Sequence, residues 1–161
     1  NEAHLQKVLG YIDSGKKEGA KLIQGGKRIH VDTGASDTQG YYLEPTIFDH
    51  VNPQQKIAQE EIFGPVLSIM TFSDEAEAIS IANNSCYGLI AYAATENLGR
   101  AQRLARDINT GYLAIVGTST MSEGSVMAIG SEPHRQSGFG SETGLDALAS
   151  YTVNTTVHLL S

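Results

Sequence analysis

Apolar and polar positions alternate along this chain at two different periods, which predict a succession of helices and strands. Apolar residues at helical spacing predict helices over residues 4–18, 73–82 and 97–108, a helical turn over 53–59 and a short helix over 145–149. Runs of β-forming residues predict strands over residues 20–24, 66–72, 88–94 and 112–116. Residues 41–51 are predicted to be extended, and Pro45 within them favours an edge or irregular strand.

Two elements in the middle of the chain carry more specific expectations. Ser73 is a suitable N-cap for the helix that follows it, and Ala76, Ile79 and Ile81 then supply a stripe predicted to be buried. Residues 88–94 form a continuous apolar run, which is typical of a strand covered on both faces.

The order of these elements predicts the fold class. Strand, helix, strand, helix and strand in succession favour an α/β fold with a mostly parallel sheet and helices on both faces. Residues 27–39 are polar and rich in glycine, which predicts a surface hairpin or loop. Residues 117–140 show little regular pattern, and loops of that length are usually functional or mobile. We assign residues 1–150 to one domain.

The chain closes with a predicted strand over residues 151–160, which places Val153, Thr155, Val157 and Leu159 on one side. A strand at the end of a domain must pair or it invites association. It either pairs within its own chain or joins a second subunit, and the pattern leaves both open.

Composition narrows the class of protein. With 161 residues the chain is long enough for one sizeable core. The net charge of −7 and the scattered basic residues argue against a nucleic-acid surface, and no apolar run reaches membrane-spanning length. One cysteine excludes an internal disulfide and a cysteine-rich metal site. These features fit a cytosolic or an organelle-matrix protein, and we predict a cytoplasmic one. Because Asn1 is not a methionine and a predicted helix follows it directly, we also expect this chain to be a piece of a longer protein.

The stretch from Gln59 to Leu67 carries the best candidate chemistry. A Gly-Pro turn precedes the strand over residues 66–72, which places Glu61 and Phe63 at the edge of a sheet, where open α/β folds bind ligands. A carboxylate beside an exposed aromatic ring suits a ribose, since it accepts hydrogen bonds from hydroxyls while the ring supports the sugar. Alternatively, Glu61 is a solvated loop charge and Phe63 fills the core.

The other candidates are weaker. Cys86 has no electropositive neighbourhood in the sequence, so it is better explained as a small buried residue than as a nucleophile. The five histidines show no metal-binding spacing. The segment from Gly138 to Gly144 is one residue too long for a dinucleotide fingerprint and favours a tight turn. No catalytic set and no metal site can be assembled.

Four motifs together resemble the C-terminal part of the aldehyde dehydrogenase superfamily, in the right order along nearly the whole chain. The second of them is highly specific. They are Gly40-Tyr41-Tyr42-Leu43-Glu44-Pro45-Thr46-Ile47, Glu60-Glu61-Ile62-Phe63-Gly64-Pro65-Val66, Asn83-Asn84-Ser85-Cys86-Tyr87-Gly88-Leu89 and Ser137-Gly138-Phe139-Gly140.

The resemblance implies roles for particular residues. Glu61 and Phe63 match the residues that contact the nicotinamide-side ribose of NAD or NADP in that family, so they become the cofactor-binding candidates. The region from Thr118 to Ser125 would line the tunnel for a small-molecule aldehyde. Residues 151–161 resemble the family's oligomerisation strand, which would join a neighbouring subunit in a homo-oligomer, a dimer or tetramer.

The resemblance also implies what this chain does not carry. Family members oxidise an aldehyde through a cysteine thioester, and that cysteine would lie a few tens of residues before the point matching Asn1. The general-base glutamate and the Rossmann-type domain would lie earlier still, and Cys86 matches a variable position. The chain alone is therefore predicted to be inactive, as a fragment of the catalytic domain.

Two departures leave a second interpretation open. Residues 128–131 stand where the family usually has Pro-Phe-Gly-Gly, and Ala114-Ile115-Val116 replaces an aromatic-Val-Asn sequence. Both would adjoin the substrate tunnel. They favour a stand-alone, non-catalytic binding or oligomerisation module that kept the fold. A hydrolase using Cys86 or Ser137 is a more distant alternative, because no base accompanies either residue.

Overall fold

The computed structural model describes residues 1–29, 40–117 and 130–159. The chain divides into two compact units, Asn1–Ala78 and Ile79–Ser161. The helices and strands are α1 (Glu2–Lys17), β1 (Lys21–Gln24), β2 (Arg28–Ile29), β3 (Tyr42–Leu43), β4 (Thr46–Asp49), α2 (Lys56–Gln59), β5 (Val66–Ser68), α3 (Glu75–Asn83), β6 (Tyr87–Gly88), β7 (Ile90–Ala94), α4 (Leu98–Asp107), β8 (Tyr112–Val116), β9 (His134–Arg135) and a 3₁₀ helix (Asp146–Tyr151).

The first unit is built on a three-stranded sheet in the order β1-β4-β5. β4 pairs antiparallel with β1 and parallel with β5, and the crossover between β4 and β5 contains α2. β2 and β3 form a separate antiparallel pair. Residues 30–39, the rest of the predicted surface hairpin, lie outside the described residues.

The core of this unit lies between α1 and the sheet. Ile12 and Phe48 have no exposed surface, and Val8 and Ile57 are 3% and 4% exposed. Val8 and Ile12 belong to the apolar stripe that predicted α1, so the helical periodicity of the sequence is the core-facing side of the helix.

β4 corrects the expectation of an edge or irregular strand. The extended stretch is broken between β3 and β4, and β4 is the central strand of its sheet. Pro45 precedes the first residue of β4, so its missing N–H removes no bond from the β4 ladder. The first ladder residue, Thr46, is buried, and its hydroxyl accepts a bond from the Gly26 N–H at 2.9 Å.

The second unit contains one parallel and one antiparallel pair of strands. β7 pairs parallel with β8 over five residues, and α4 lies between them in the sequence. β6 pairs antiparallel with β9, a strand that the sequence pattern did not predict within residues 117–140. Residues 118–129 of that stretch lie outside the described residues.

The predicted burial of α3 and β7 is wrong. No residue of α3 is buried: Ile79 and Ile81 are half-buried and Ala76 is exposed. β7 alternates between exposed and half-buried positions, and Ile90 and Tyr92 are exposed. A continuous apolar run predicts a strand covered by neighbouring elements on both faces. Within the described residues, no element covers the face of β7 that carries Ile90 and Tyr92.

The cap of α3 also differs from the prediction by one residue. The side chain of Asp74, not that of Ser73, accepts the Glu77 N–H, at 2.9 Å. Glu77 in turn accepts bonds from the backbone N–H and the hydroxyl of Ser73. The bond from the Ser73 backbone N–H, and after it the bond from the Ser73 hydroxyl, lower the pKa of the Glu77 carboxyl.

The end of the chain departs from its prediction. Residues 152–159 belong to no strand. The 3₁₀ helix stands in place of the predicted short helix and of the first predicted strand residue, Tyr151. Val153, Val157 and Leu159 are 91%, 74% and 88% exposed. Of the two alternatives left open by the sequence, strand pairing within the chain is therefore not observed among these residues.

The predicted α/β class is confirmed, with mixed sheets. Of the two strand-helix-strand units that the sequence indicated, β7-α4-β8 places its strands parallel, whereas β5 and β7, on either side of α3, belong to different sheets. β4 and β5, which are joined through α2, are also parallel. β1 and β4 pair antiparallel, and the two other antiparallel pairs, β2-β3 and β6-β9, are formed by strands of two residues. Among the described residues, no helix combines the length and the apolar character needed to cross a membrane.

Candidate functional site

Glu60 to Gly64 form a short segment between α2 and β5. Residues that contact the rest of the first unit alternate along it with residues that face solvent. The Glu60 carboxylate accepts a bond from the Tyr11 hydroxyl at 2.8 Å, and Ile62 is buried. A Cβ added to Gly64 would lie 2.8 Å from Val8, so the helix approaches the segment too closely for a side chain there. We call residues 60–64 the Glu60–Gly64 segment.

The two predicted cofactor-binding residues are the exposed members of this segment. Phe63 is 73% exposed, and Glu61 is exposed as well. No described residue forms a hydrogen bond or an ion pair with the Glu61 carboxylate. The alternative interpretation fails for Phe63, because its ring does not fill the core.

Phe63 has an unusual backbone. Its φ of 54° lies in the left-handed region, which is uncommon for a bulky residue. That conformation costs energy and persists only where the surrounding contacts hold it. The Phe63 carbonyl oxygen lies 2.7 Å from Nε2 of His4. Immediately afterwards, the Val66 N–H donates to the Gly64 carbonyl at 2.8 Å, which closes a tight turn centred on Pro65.

α1 and its C-cap contact the stretch from residue 55 to residue 64 at several points along one stripe. The stripe residues are spaced by four, three, four and three positions, so they lie on one side of the helix. They are His4, Val8, Tyr11, Gly15 and Glu18. We call this set the α1 stripe.

At its C-terminal end the α1 stripe fixes the start of α2. Gln55 provides no side-chain cap for that helix, and instead the Glu18 carboxylate accepts the Lys56 N–H at 2.8 Å. Gln55 donates to the Glu18 carbonyl at 2.7 Å. The hydroxyl of Ser14, and then the Lys56 N–H, lower the pKa of the Glu18 carboxyl.

Charges surround the middle of the stripe. Nζ of Lys56 lies 5.1 Å from the centroid of the Tyr11 ring and 3.9 Å from a Glu60 carboxylate oxygen. Glu60 is therefore bonded within the first unit, whereas its neighbour Glu61 keeps its acceptor oxygens free of described partners. Two adjacent carboxylates thus have different roles.

A shallow cavity of about 150 Å³ adjoins Phe63. Its walls come from the first turns of α1, from β3 and from the Phe63-Gly64-Pro65 turn, and Glu61 does not line it. Apart from Asn1, His4 and Tyr41, the lining side chains are apolar. The cavity is too small to enclose a whole dinucleotide, whose binding pockets are several times larger.

The remaining candidates show no catalytic arrangement among the described residues. Cys86 is a half-buried free cysteine, and the Ser137 hydroxyl accepts the Gly88 N–H at 2.9 Å. Gly138, Gly140 and Gly144 all have positive φ, which confirms the predicted tight turn. Within residues 1–29, 40–117 and 130–159, no group of His, Cys, Asp and Glu side chains could hold a metal ion.

A separate polar network in the second unit was missed at the sequence level. The Asn83 side chain donates to the Asp107 carbonyl at 2.7 Å and accepts the Asn109 N–H at 2.8 Å. Nη1 of Arg135 donates to the Asn83 carbonyl at 2.8 Å and also to that of Ser85. This network ties the end of α3 to the end of α4 and to β9. The paired asparagines of the Asn83-Asn84-Ser85 motif were the only indication of it.

Comparison with known proteins identifies the family of this arrangement. The model of the aldehyde dehydrogenase family matches residues 1–157. A point mutant of the indole-3-acetaldehyde dehydrogenase AldA of P. syringae, in complex with NAD+ and IAA, is 41% identical with a TM-score of 0.81. That match covers 94% of this chain and 29% of the AldA chain.

Two further structures agree. A double mutant of the betaine aldehyde dehydrogenase of Staphylococcus aureus, in complex with NAD+, is 34% identical with a TM-score of 0.82, covering 95% of this chain and 30% of that one. The NAD+ complex of an aldehyde dehydrogenase from Bacillus cereus is 35% identical with a TM-score of 0.81, covering 95% and 29%. The chain thus spans less than a third of the length of these relatives.

Proposed function

The chain belongs to the aldehyde dehydrogenase family, and we propose that it serves as the part of an NAD(P)-dependent aldehyde dehydrogenase that holds the nicotinamide-side ribose of the cofactor. Glu61 and Phe63 would make these contacts. The observation that carries the proposal is their joint exposure: in a segment otherwise packed against α1, these are the side chains left available.

The two residues suit a ribose chemically. A carboxylate with no described partner offers several acceptor positions to vicinal hydroxyls. An exposed ring offers an apolar face to a sugar, and the left-handed Phe63 backbone is held by a defined contact, as expected of a preorganised site.

NAD(P)+, when bound, would accept a hydride from the substrate. The chain's own residues would orient the ribose next to the nicotinamide and exclude water there. The NAD+ complexes of the relatives support NAD as the cofactor, and the 2′-phosphate that distinguishes NADP would be recognised elsewhere. The aldehyde would be converted to an acid through a thioester, and the cysteine that forms this thioester would belong to another part of the enzyme.

We further propose that residues 151–161 assemble the enzyme as a homodimer or homotetramer in the cytoplasm. The high exposure of Val153, Val157 and Leu159 supports this, because a row of exposed apolar side chains favours a partner surface. The same exposure favours the second candidate, a stand-alone oligomerisation module without catalytic activity. The reading frame separates the two candidates.

The first experiment is to sequence the coding DNA upstream of the Asn1 codon and to assay the encoded protein. We expect an open frame with a cysteine codon a few tens of residues upstream and, before it, a nucleotide-binding domain. A start codon immediately before Asn1, in a protein that turns over no aldehyde, would instead establish the stand-alone module.

In the whole enzyme, Glu61→Gln and Phe63→Ala are expected to raise KM for NAD(P)+ by about ten-fold each, as lost charged hydrogen bonds and ring contacts do. Glu132→Gln and Phe72→Ala are matched controls, since both residues are also exposed. Equal effects of the controls would overturn the proposed site. The 161-residue chain alone is expected to produce no NADH from aldehyde and NAD+.

A further inference from the structure

The hydrogen bond between His4 and the Phe63 carbonyl links the first turn of α1 to the left-handed backbone of the Glu60–Gly64 segment. The two residues are 59 positions apart in sequence, and the distance of 2.7 Å is short for a bond from a nitrogen donor. Phe63 is the residue of this segment that adopts a left-handed conformation, which any residue with a side chain disfavours.

We infer that His4 is a positioning residue that keeps Phe63 in its left-handed conformation and so presents the Phe63 ring to the cofactor. The inference rests on the proposed role of Phe63 in the ribose site. Because a carbonyl oxygen only accepts hydrogen bonds, Nε2 of His4 must carry the proton. Both the neutral Nε2–H tautomer and the imidazolium meet that requirement.

Neighbouring contacts do not replace this one. Val8 limits the space at Gly64, and Tyr11 holds the Glu60 carboxylate, but neither holds the Phe63 peptide. The cavity beside Phe63 leaves room on the α1 side into which an unheld turn could move. His4 is therefore the contact that decides between the observed conformation of Phe63 and a relaxed one.

The first test isolates the backbone of Phe63. The chain has four phenylalanines, so labelling with ¹⁵N-phenylalanine gives four amide signals in an NMR spectrum of the 161-residue chain. His4→Ala is expected to shift or broaden the Phe63 signal and leave those of Phe48, Phe72 and Phe139 in place. His4→Gln, whose amide reaches a similar position as a donor, is expected to restore it.

The second test measures function in the whole enzyme. His4→Ala is expected to raise KM for NAD+ by about three- to ten-fold with kcat within about two-fold, because a loosened contact removes uniform binding energy. His4→Gln should return KM toward that of the unmodified enzyme. His50→Ala is the matched control, since His50 is another exposed histidine of the first unit and bonds only to its neighbour Asp49 among the described residues.

The outcomes separate the two proposals. An unchanged Phe63 signal in His4→Ala overturns the positioning role, whatever happens to KM. A changed Phe63 signal with an unchanged KM supports the positioning role and overturns the proposed ribose contact of Phe63. If the alanine variant loses all four signals, His4→Leu, which keeps volume but lacks a donor, decides the matter in the same way.

Discussion

The two units of the chain reach stability by different means. Nearly all fully buried apolar side chains of the described residues belong to the first unit, including Ile12 and Phe48, whereas Leu104 is the buried apolar residue of the second. The second unit is held instead by strand pairing and by the Asn83 network of side-chain bonds to the backbone. The first unit thus depends on packing, and the second depends more on directional bonds.

The difference shows how the same sequence pattern can lead to different burial. α3 carries an apolar stripe and β7 is a continuous apolar run, yet of these three elements only α1 is covered on its apolar side among the described residues. Periodicity specifies which side of an element prefers to be covered, and a neighbouring element must then provide the cover. In the proposed enzyme, we expect the exposed sides of α3 and β7 to be covered by other parts of the protein.

The largest expected effect is on the core of the first unit. Phe48→Ala should lower the free energy of unfolding by about 3–5 kcal/mol, because the removed ring leaves a cavity in a fully buried site. Tyr92→Ala, at a 68% exposed site in the second unit, should change it by about 0.5 kcal/mol or less. Urea denaturation followed by circular dichroism measures both. Equal losses would contradict the contrast between the units.

The next largest effect is on the network of the second unit. Asn83→Ala should lower the free energy of unfolding by about 1–3 kcal/mol, since it leaves the Asp107 carbonyl and the Asn109 N–H without this partner. Asn154→Ala is the control, because Asn154 is exposed and outside the network. If the two variants unfold at the same urea concentration, directional bonding is not what holds this unit.

A smaller effect distinguishes the two glycines inside α1. Gly15→Ala should destabilise by about 1 kcal/mol, because its Cβ would lie 2.8 Å from Ile57 Cδ1 and 3.2 Å from Phe48 Cζ, and crowding outweighs the gain in helix propensity. Gly10→Ala, with nothing within 4 Å, should stabilise by about 0.5–1 kcal/mol. Thermal unfolding gives both signs. Stabilisation by both substitutions would show that α1 is packed less tightly than the structure indicates.

The smallest effect is on pH dependence. Hydrogen bonds from Ser14 and from the Lys56 N–H lower the pKa of Glu18 below its ordinary value of 4.5. A lowered folded-state pKa contributes stability above the ordinary value, and that contribution is lost as pH falls through the folded-state pKa. Between about pH 6 and about pH 3.5, Glu18→Gln should therefore lose less thermal stability than the unmodified chain.

The control for this effect is Glu132→Gln, since that carboxylate is exposed and no described bond involves it. Identical pH profiles for Glu18→Gln and the unmodified chain would mean that the cap on α2 adds nothing to stability.

Much of this fold follows from local pattern. α1, α4 and β8 lie within one or two residues of their predictions. The two helices combine clear periodicity with a capping residue, and β8 is an apolar run that begins directly after Gly111. The short strands β6 and β9 were not separated, since two residues carry too little periodicity to identify. The exposure of β7 could not be predicted, because it depends on what covers the strand.

The candidate site was predictable in part. Glu61 and Phe63 were identified from their motif, while the residues that hold the segment were not, since His4 and Glu18 act over 59 and 38 positions of sequence. α1 was predicted from Leu5, Val8, Leu9 and Ile12, which form its core-facing side. The polar members of the α1 stripe resemble ordinary surface residues in sequence, because nothing local marks the residues they contact.

The regular spacing of the α1 stripe has a consequence for insertions and deletions. In an α-helix each added residue turns the following positions by about 100°. One residue inserted between His4 and Glu18 would leave His4 beside Phe63 and turn Glu18 away from Lys56, or the reverse. The number of residues in α1 is therefore fixed by the segment it holds. Changes of length between relatives should fall in the connections around it.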